Sequence, residues 1–456
     1  MYTLVNRPIV TSCQYYLALA ILLCSFSCSQ EITEPAAPSI ADEIDSVLKQ
    51  DVAHLWYPLV IDSLNGGYLS DFDYKWQANG AQNKLIVSQA RHVWTCSKLE
   101  AMYPGQDFID YAAHGVSYLQ NFMWDSLNGG FHSLLSREGL VLDQQWGGHK
   151  TAYGISFGIY GLSAYAMATG DSDALELAKS AFRWLDKHAH DPEFGGYFQF
   201  ITPEGVALKD GFDGTPPKDQ NSSIHLLEAF TELYQVWPND TLRSRLQEML
   251  VTIRDVVAGE KAYMNLFFNQ DWSPVVFHDS LLEIREANYA IDHVSFGHDI
   301  EIAYLMMEAA EILGLGHDEA TMSRSKALVD HVLDYGWDAE VGGIYDRGYY
   351  LPDTPGVTII LDSKVWWSQV EALNTLLIMA HLYPDDPKDY YSKFELQWDY
   401  IKTYLLDHEH GGILVEGTDK DHESTTRDKG GTWKVNYHTA RSLMNCINTL
   451  THSTGK

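Results

Sequence analysis

Positive charge is scarce in this chain. Its 456 residues hold 31 Lys and Arg against 62 Asp and Glu, a formal net charge of −31. Phosphate recognition needs a basic footprint, so nucleic acid is excluded as a partner, and an acidic polymer is disfavoured by the same repulsion. Cysteine is also sparse, at five residues, and no disulfide framework is implied. Cys96 and Cys446 fall in the first and last inner helices of the repeat described below, where a disulfide is possible but two free buried thiols are the expected state. The sequence contains no GxGxxG, Walker or zinc-spacing string. Long apolar runs are missing apart from Tyr15 to Phe26, which is too short to span a bilayer.

That one run sits where an export signal belongs. Arg7 precedes it, and Ser25-Phe26-Ser27-Cys28 follows as a lipobox-like string. Residues 1–28 are therefore expected to be a signal peptide with Cys28 lipidated, 29–41 a polar, acidic, Pro/Ala tether, and 42–452 one catalytic domain. The expected location is the bacterial cell envelope, with the membrane touched only through the lipid anchor.

What is abundant is aromatic and repetitive. The chain carries 13 Trp and 27 Tyr, which suit a neutral sugar whose C–H faces stack on rings. Polar-to-aromatic clusters open apolar helical runs at Arg91 (RHVWTCS), Lys150 (KTAYGISFGIY), Lys218 (KDQNSSIHLLEAF), His298 (HDIEIAYLMM), Lys364 (KVWWSQVEALN) and Lys434 (KVNYHTARSLM). They recur roughly every 60 to 80 residues, the mark of one supersecondary unit repeated. Between them stands Asp-x-x-x-Gly-Gly, beginning at Asp62, Asp125, Asp191, Asp338 and Asp407, with FFNQDW near Asp271 expected to fill the wide gap. The glycine pairs read as backbone requirements for a tight turn. Six units of two helices and a turn, closed on themselves, predict an all-α (α/α)6 barrel whose polar clusters gather at one end of the inner helices.

Histidines stand at the starts of three of these runs. His225 and Glu228, His298 and Glu301, and His438 and Arg441 are each three apart and so share a helix face. A lone histidine there is ordinarily structural, but three placed alike in separate repeats converge on one mouth. Arg91, Tyr153, Asn221, Trp366, Trp367 and Trp433 open their units at the same end.

The strings KDQNSSIHLLEAFTELY, SFGHDIEIAYLMMEAA, KVWWSQVEAL and WKVNYHTAR resemble the N-acylglucosamine 2-epimerase family, in its cellobiose 2-epimerase branch, from about Asp42 to Leu450. The resemblance implies an (α/α)6 barrel, no cofactor, a neutral disaccharide or oligosaccharide as the ligand and a monomeric protein. By it, His298 and His438 match the acid/base pair at C2 of the sugar, and His225 matches a histidine tied to ring opening. Arg91, Asn221 and Glu301 match residues around the reacting sugar, Trp433 an aromatic stacked on it, and either Trp366 or Trp367 a further contact. Tyr153 and Asp213 fall at positions consistent with further contacts. Glu301 is expected to orient His298, and Arg91 to face the developing O1/O2 charge. This chain departs from the family pattern at Ser222-Ser223-Ile224 and at Val435-Asn436. It also has a longer segment from about Trp272 to Val294, expected to form a lid. An aldose–ketose isomerase shares the enediolate chemistry and stands as the alternative. A glycoside hydrolase, which wants two opposed carboxylates, and a glycan-binding lipoprotein fit less well.

Overall fold

The computed structural model describes residues 38–144 and 146–453, so the expected signal segment and Cys28 lie outside the described residues. Within them no helix is long and apolar enough to cross a membrane. Twelve helices of eight residues or more alternate between an outer and an inner layer. The outer ones are α1 (Ile40–Val47), α3 (Phe108–Tyr118), α5 (Ser172–His188), α7 (Asp240–Thr252), α9 (Glu319–Tyr335) and α11 (Tyr390–Tyr400). The inner ones are α2 (Ile86–Met102), α4 (Ala152–Thr169), α6 (Gln220–Val236), α8 (Phe296–Ile312), α10 (Trp366–Leu382) and α12 (Tyr437–Ser453).

The two layers differ in sequence because they differ in surroundings. α5 buries Ala174, Ala178, Ala181, Phe182 and Leu185 along one stripe, as a helix with one wet face does. Inner α2 is covered nearly all round, burying even Ser88, Gln89, Arg91 and His92. Inner helices approach closely, and a Cβ on Gly161 of α4 would stand 2.6 Å from the Ala90 carbonyl of α2. Each inner helix packs on the next, and α12 returns to α2, closing the ring. The stretch Leu48–Ala53 that follows α1 packs on α12, so the outer partner of the last inner helix comes from the start of the domain. Six hairpins closed in this way form an (α/α)6 barrel.

The Asp-x-x-x-Gly-Gly turns are built alike. Asp62, Asp125, Asp191, Asp338 and Asp407 each accept from backbone N–H groups inside their own turn. Each also receives a buried lysine, Lys84, Lys150, Lys218, Lys364 and Lys429 respectively, at 2.5–3.1 Å. The same ammonium groups donate to the carbonyl of the first glycine of the pair. Burial raises Asp125, yet the Lys150 hydrogen bond and the turn amides outweigh it and leave the carboxyl far below its usual range. The left-handed backbone of Gly67, at φ +64°, is needed, and a Cβ there would also strike Gln89 and Tyr118.

The fourth unit breaks this pattern in both partners at once. Asp271 does not fill the gap: it lies in the turn after Phe267–Phe268, where Ser273 donates to it. The position of the glycine turn is taken by residues 258–264, with Ala258 N–H donating to Ile253 O as Trp124 does to Leu119. Val294 stands where the other units have lysine, and Asp299 on α8 accepts from Met264 N–H at 2.9 Å. A buried lysine without its acid would be an unpaired charge, so the two are lost together.

Candidate active site

Short antiparallel strands lead into the inner helices and set their register: Lys84–Leu85, Lys150–Thr151, Lys218–Asp219 and Val294–Ser295. His298 and His438 both lie in the first turns of their helices, α8 and α12. His225 is not their equivalent, as the sequence pattern had suggested. It sits one turn deeper in α6, level with Arg91, Glu301, Glu371 and Arg441.

The N-terminal ends of the inner helices surround a cavity of about 190 Å³. Arg91, Tyr153, Asn221, His225, His298 and Glu301 line it, and so do Trp366, Trp367, Trp433 and His438. It continues into an outer chamber of about 410 Å³ that shares Tyr153, Asn221, His298 and Trp433. Asp213 belongs only to this outer chamber, with Trp146, Phe212 and His293. The long segment before α8 contributes Ala290 and His293 to its wall, and forms two short helices, Leu282–Ala287 and Tyr289–Asp292. Asp292 ties this segment down by accepting from Phe277 N–H and Tyr349 OH.

Trp367 lies between the two first-turn histidines, its ring 4.7 Å from His298 and 5.7 Å from His438. Trp433 is 42% exposed at the rim, beside Tyr153 and edge-on to Trp146, a ring open to a ligand. Arg91 donates to Tyr153 OH at 3.2 Å and lies over the Phe157 and Tyr437 rings.

The hydrogen-bond partners of the histidines correct one expectation and add residues the sequence did not single out. His298 Nδ1 meets Ser295 Oγ at 2.7 Å, so Ser295 and not Glu301 orients that ring. His438 Nδ1 is 2.7 Å from Glu371 Oε1 on α10 and 3.7 Å from Glu301. His225 Nδ1 is 2.9 Å from Glu228 Oε2. Under all three lies Arg441, which donates to Glu301 at 2.5 Å, to Glu371 at 2.6 Å and to Glu228. Tyr437 OH also donates to Glu228. Among the described residues Glu301, Glu371 and His438 have ligand atoms within 4.8 Å of one another, close enough for an ion. The guanidinium of Arg441 already supplies positive charge to that group.

Electrostatics follow from burial and from this cluster. Burial, reinforced by His225, His293 and His438, lowers His298 to about 3. Burial also holds His438 well below the usual imidazole range, with Arg91 adding to the effect and Glu301 opposing it. Burial raises Glu228, but Arg441 and His225 outweigh it and bring the carboxyl to about 2. Burial pushes the Glu371 carboxyl up, against the pull of Arg441. Both first-turn histidines therefore rest neutral near pH 7, the form that accepts a proton.

The comparisons agree with this architecture. The sequence model of the N-acylglucosamine 2-epimerase family matches residues 67–442. The chain belongs to that family. Membership makes it a carbohydrate epimerase, an enzyme of the isomerase class. It is 27% identical to the cellobiose 2-epimerase of Bacteroides fragilis, covering 89% of this chain and 100% of that one. A cellobiose 2-epimerase of Ruminococcus albus is also 27% identical, over 89% of this chain and 97% of its own. Among solved structures, the cellobiose 2-epimerase of Spirochaeta thermophila superposes with a TM-score of 0.78 at 25% identity, covering 91% of this chain and 97% of that one. A D-mannose isomerase superposes with a TM-score of 0.76 at 19% identity, covering 91% of this chain and 100% of that one, and shares the fold.

Proposed function

We propose that this family member epimerises C2 of the reducing-end sugar of a β-1,4-linked disaccharide without a cofactor. The observation that carries the chemistry is the pair His298 and His438, projecting from two inner helices into one cavity on either side of Trp367. The inner room with a larger outer chamber beyond it supports a two-ring ligand.

Inversion at C2 begins once the hemiacetal opens, which frees the C1 aldehyde and makes the C2 hydrogen acidic. His225, held by Glu228, stands near Tyr153 as the candidate to move the proton between O1 and the ring oxygen. One first-turn histidine then takes the C2 hydrogen as a proton, and the electron pair becomes an enediolate spread over O1, C1 and C2. The other histidine, carrying one proton, returns it to C2 from the opposite face, and the aldehyde reforms and closes. Both histidines rest neutral, so the pair takes up one proton from solvent as the sugar binds, and the reverse reaction exchanges their roles. His438 is the better site for that proton, because Glu371 holds its Nδ1 and Glu301 lies close behind. Its Nε2 is left for the sugar. Charge on the enediolate oxygens is met by Arg91 and by the inner-helix N-termini, whose unpaired N–H groups carry partial positive charge.

The test is proton NMR in D2O with cellobiose, mannobiose, glucose and mannose. Deuterium at C2 with appearance of the 2-epimer of a disaccharide is expected. A ketose product would reassign the reaction to aldose–ketose isomerisation, and no exchange with any of these sugars would overturn the reading.

A further inference from the structure

The barrel has a second cavity at its other end, between the C-terminal halves of the inner helices. Its volume is about 490 Å³, larger than either chamber at the front, and within the size range of ligand sites. Its walls are not those of a packing defect. Trp94 and Tyr160 stack with ring centroids 5.2 Å apart and planes 13° from parallel, and Tyr304 joins them. Trp94, Tyr304 and Arg441 line it and are 5%, 4% and 3% exposed.

The void also offers acceptors. Glu232 and Glu308 line it with Asn445 and Asn448, and Lys98 makes an ion pair with Glu232. An anion is disfavoured there by these carboxylates, by the carbonyl ends of the inner helices and by the −31 charge of the chain. An apolar ligand would desolvate Glu232, Glu308, Asn445 and Asn448 without giving them partners. What remains is a neutral molecule with hydroxyls on its edge and C–H groups on its faces.

We infer that the rear cavity is a second, non-catalytic saccharide site, taking one neutral sugar ring between Trp94, Tyr304 and the Glu308–Asn448 wall. It is separated from the front cavity by Arg441, whose Nη atoms hold Glu228, Glu301 and Glu371. The site is independent of the epimerase reading, since nothing in it requires ring opening.

Met102 and Met444 line the cavity and report on it. The protein, labelled with 13C at the methionine methyls, is titrated with methyl β-D-glucoside, whose locked ring cannot be turned over. Saturable shifts at Met102 and Met444 are expected. They should be lost in N448W, which fills the void, and weakened at least tenfold in E308L, while turnover of cellobiose continues in both. Absence of shifts at these two methyls in the wild-type protein overturns the inference. So do shifts that persist unchanged in both variants, because the void would then hold water only and the sugar would act from the front.

Discussion

One helical turn beneath the candidate catalytic cavity, Arg441 donates to Glu228, Glu301 and Glu371, and two of these carboxylates hold His225 and His438 through Nδ1. Without that guanidinium, three buried acids on neighbouring helices would repel one another and take up protons. Of the histidine partners, Glu371 gives the cleanest test, because it reaches His438 across 67 residues of sequence and lines no cavity wall itself. E371Q keeps an acceptor oxygen for Nδ1, whereas E371L leaves that N–H unmet. The expectation is a fall in kcat of roughly 10- to 100-fold for E371L and a smaller one for E371Q, with KM little changed. H298A and H438A should each lose roughly 10²–10⁴-fold in kcat, the usual worth of a general acid or base. Wild-type turnover in either histidine variant would remove the two-histidine mechanism. The histidines were legible in the sequence because polar residues opening an apolar helix need a reason. Glu371 was not, although it stands in the quoted KVWWSQVEALN string, since its partner is fixed only when α10 and α12 meet.

The repeated element combines a device spread over two segments. The glycine pairs were legible as turns, and the lysines opening four of the runs were visible, but the pairing of three of them, Lys150, Lys218 and Lys364, with the turn aspartates was not. In the folded unit the lysine Nζ bonds both the turn aspartate and the first glycine carbonyl, locking the outer-helix exit to the inner-helix entry. Lys218 is fully buried and also donates to Gln270 O at 2.7 Å. Removing one partner of such a pair strands the other charge, so K218M should cost about 3–5 kcal/mol in a urea melt. Since α6 carries Asn221 and His225, its activity should fall with the loss of fold and not before it. A K218M protein as stable as wild type would show the pairs to be incidental. The fourth unit, which lacks both partners, carries no such sensitivity, and substituting Asp271 is expected to leave stability within about 0.5 kcal/mol.

Across the whole molecule, closure makes stability depend on pH in two windows. Glu228, Glu248 and Asp338 are held at about 2, each by partners that outweigh burial: Arg441 and His225, then His190, then Lys364. Their folded values lie below the unfolded ones, so their contribution is complete above about pH 4.5 and is lost as pH falls toward 2. His92 and His298 are held at about 3 by burial. The unfolded chain binds protons at these sites first, so stability also declines as pH falls from about 6.5 toward 3. The melting temperature should therefore be highest near neutrality, drop below pH 6.5, and drop more steeply below pH 4.5. A melting temperature unchanged between pH 7 and 4 would contradict the buried neutral histidines. H92Q, whose ring packs against Trp56, Tyr57 and Tyr68 and does not line the front cavity, should flatten the first decline without abolishing turnover.

The sequence by itself determined the periodicity, and with it the class of fold. Helix faces, turn glycines and caps such as Asp171 are local, written within a few residues of where they act. It also determined which end of the inner helices is polar, since Arg91, His298 and, together, Trp433 and His438 open their units. Only the tertiary structure decided who meets whom. That Glu371 serves His438 and that Arg441 divides a front cavity from a rear one depend on the rotation and depth at which the six inner helices pack. A helix pattern fixes which residues share a face. The angular position of that face within a closed ring is set by the neighbours on both sides, and no single segment encodes it.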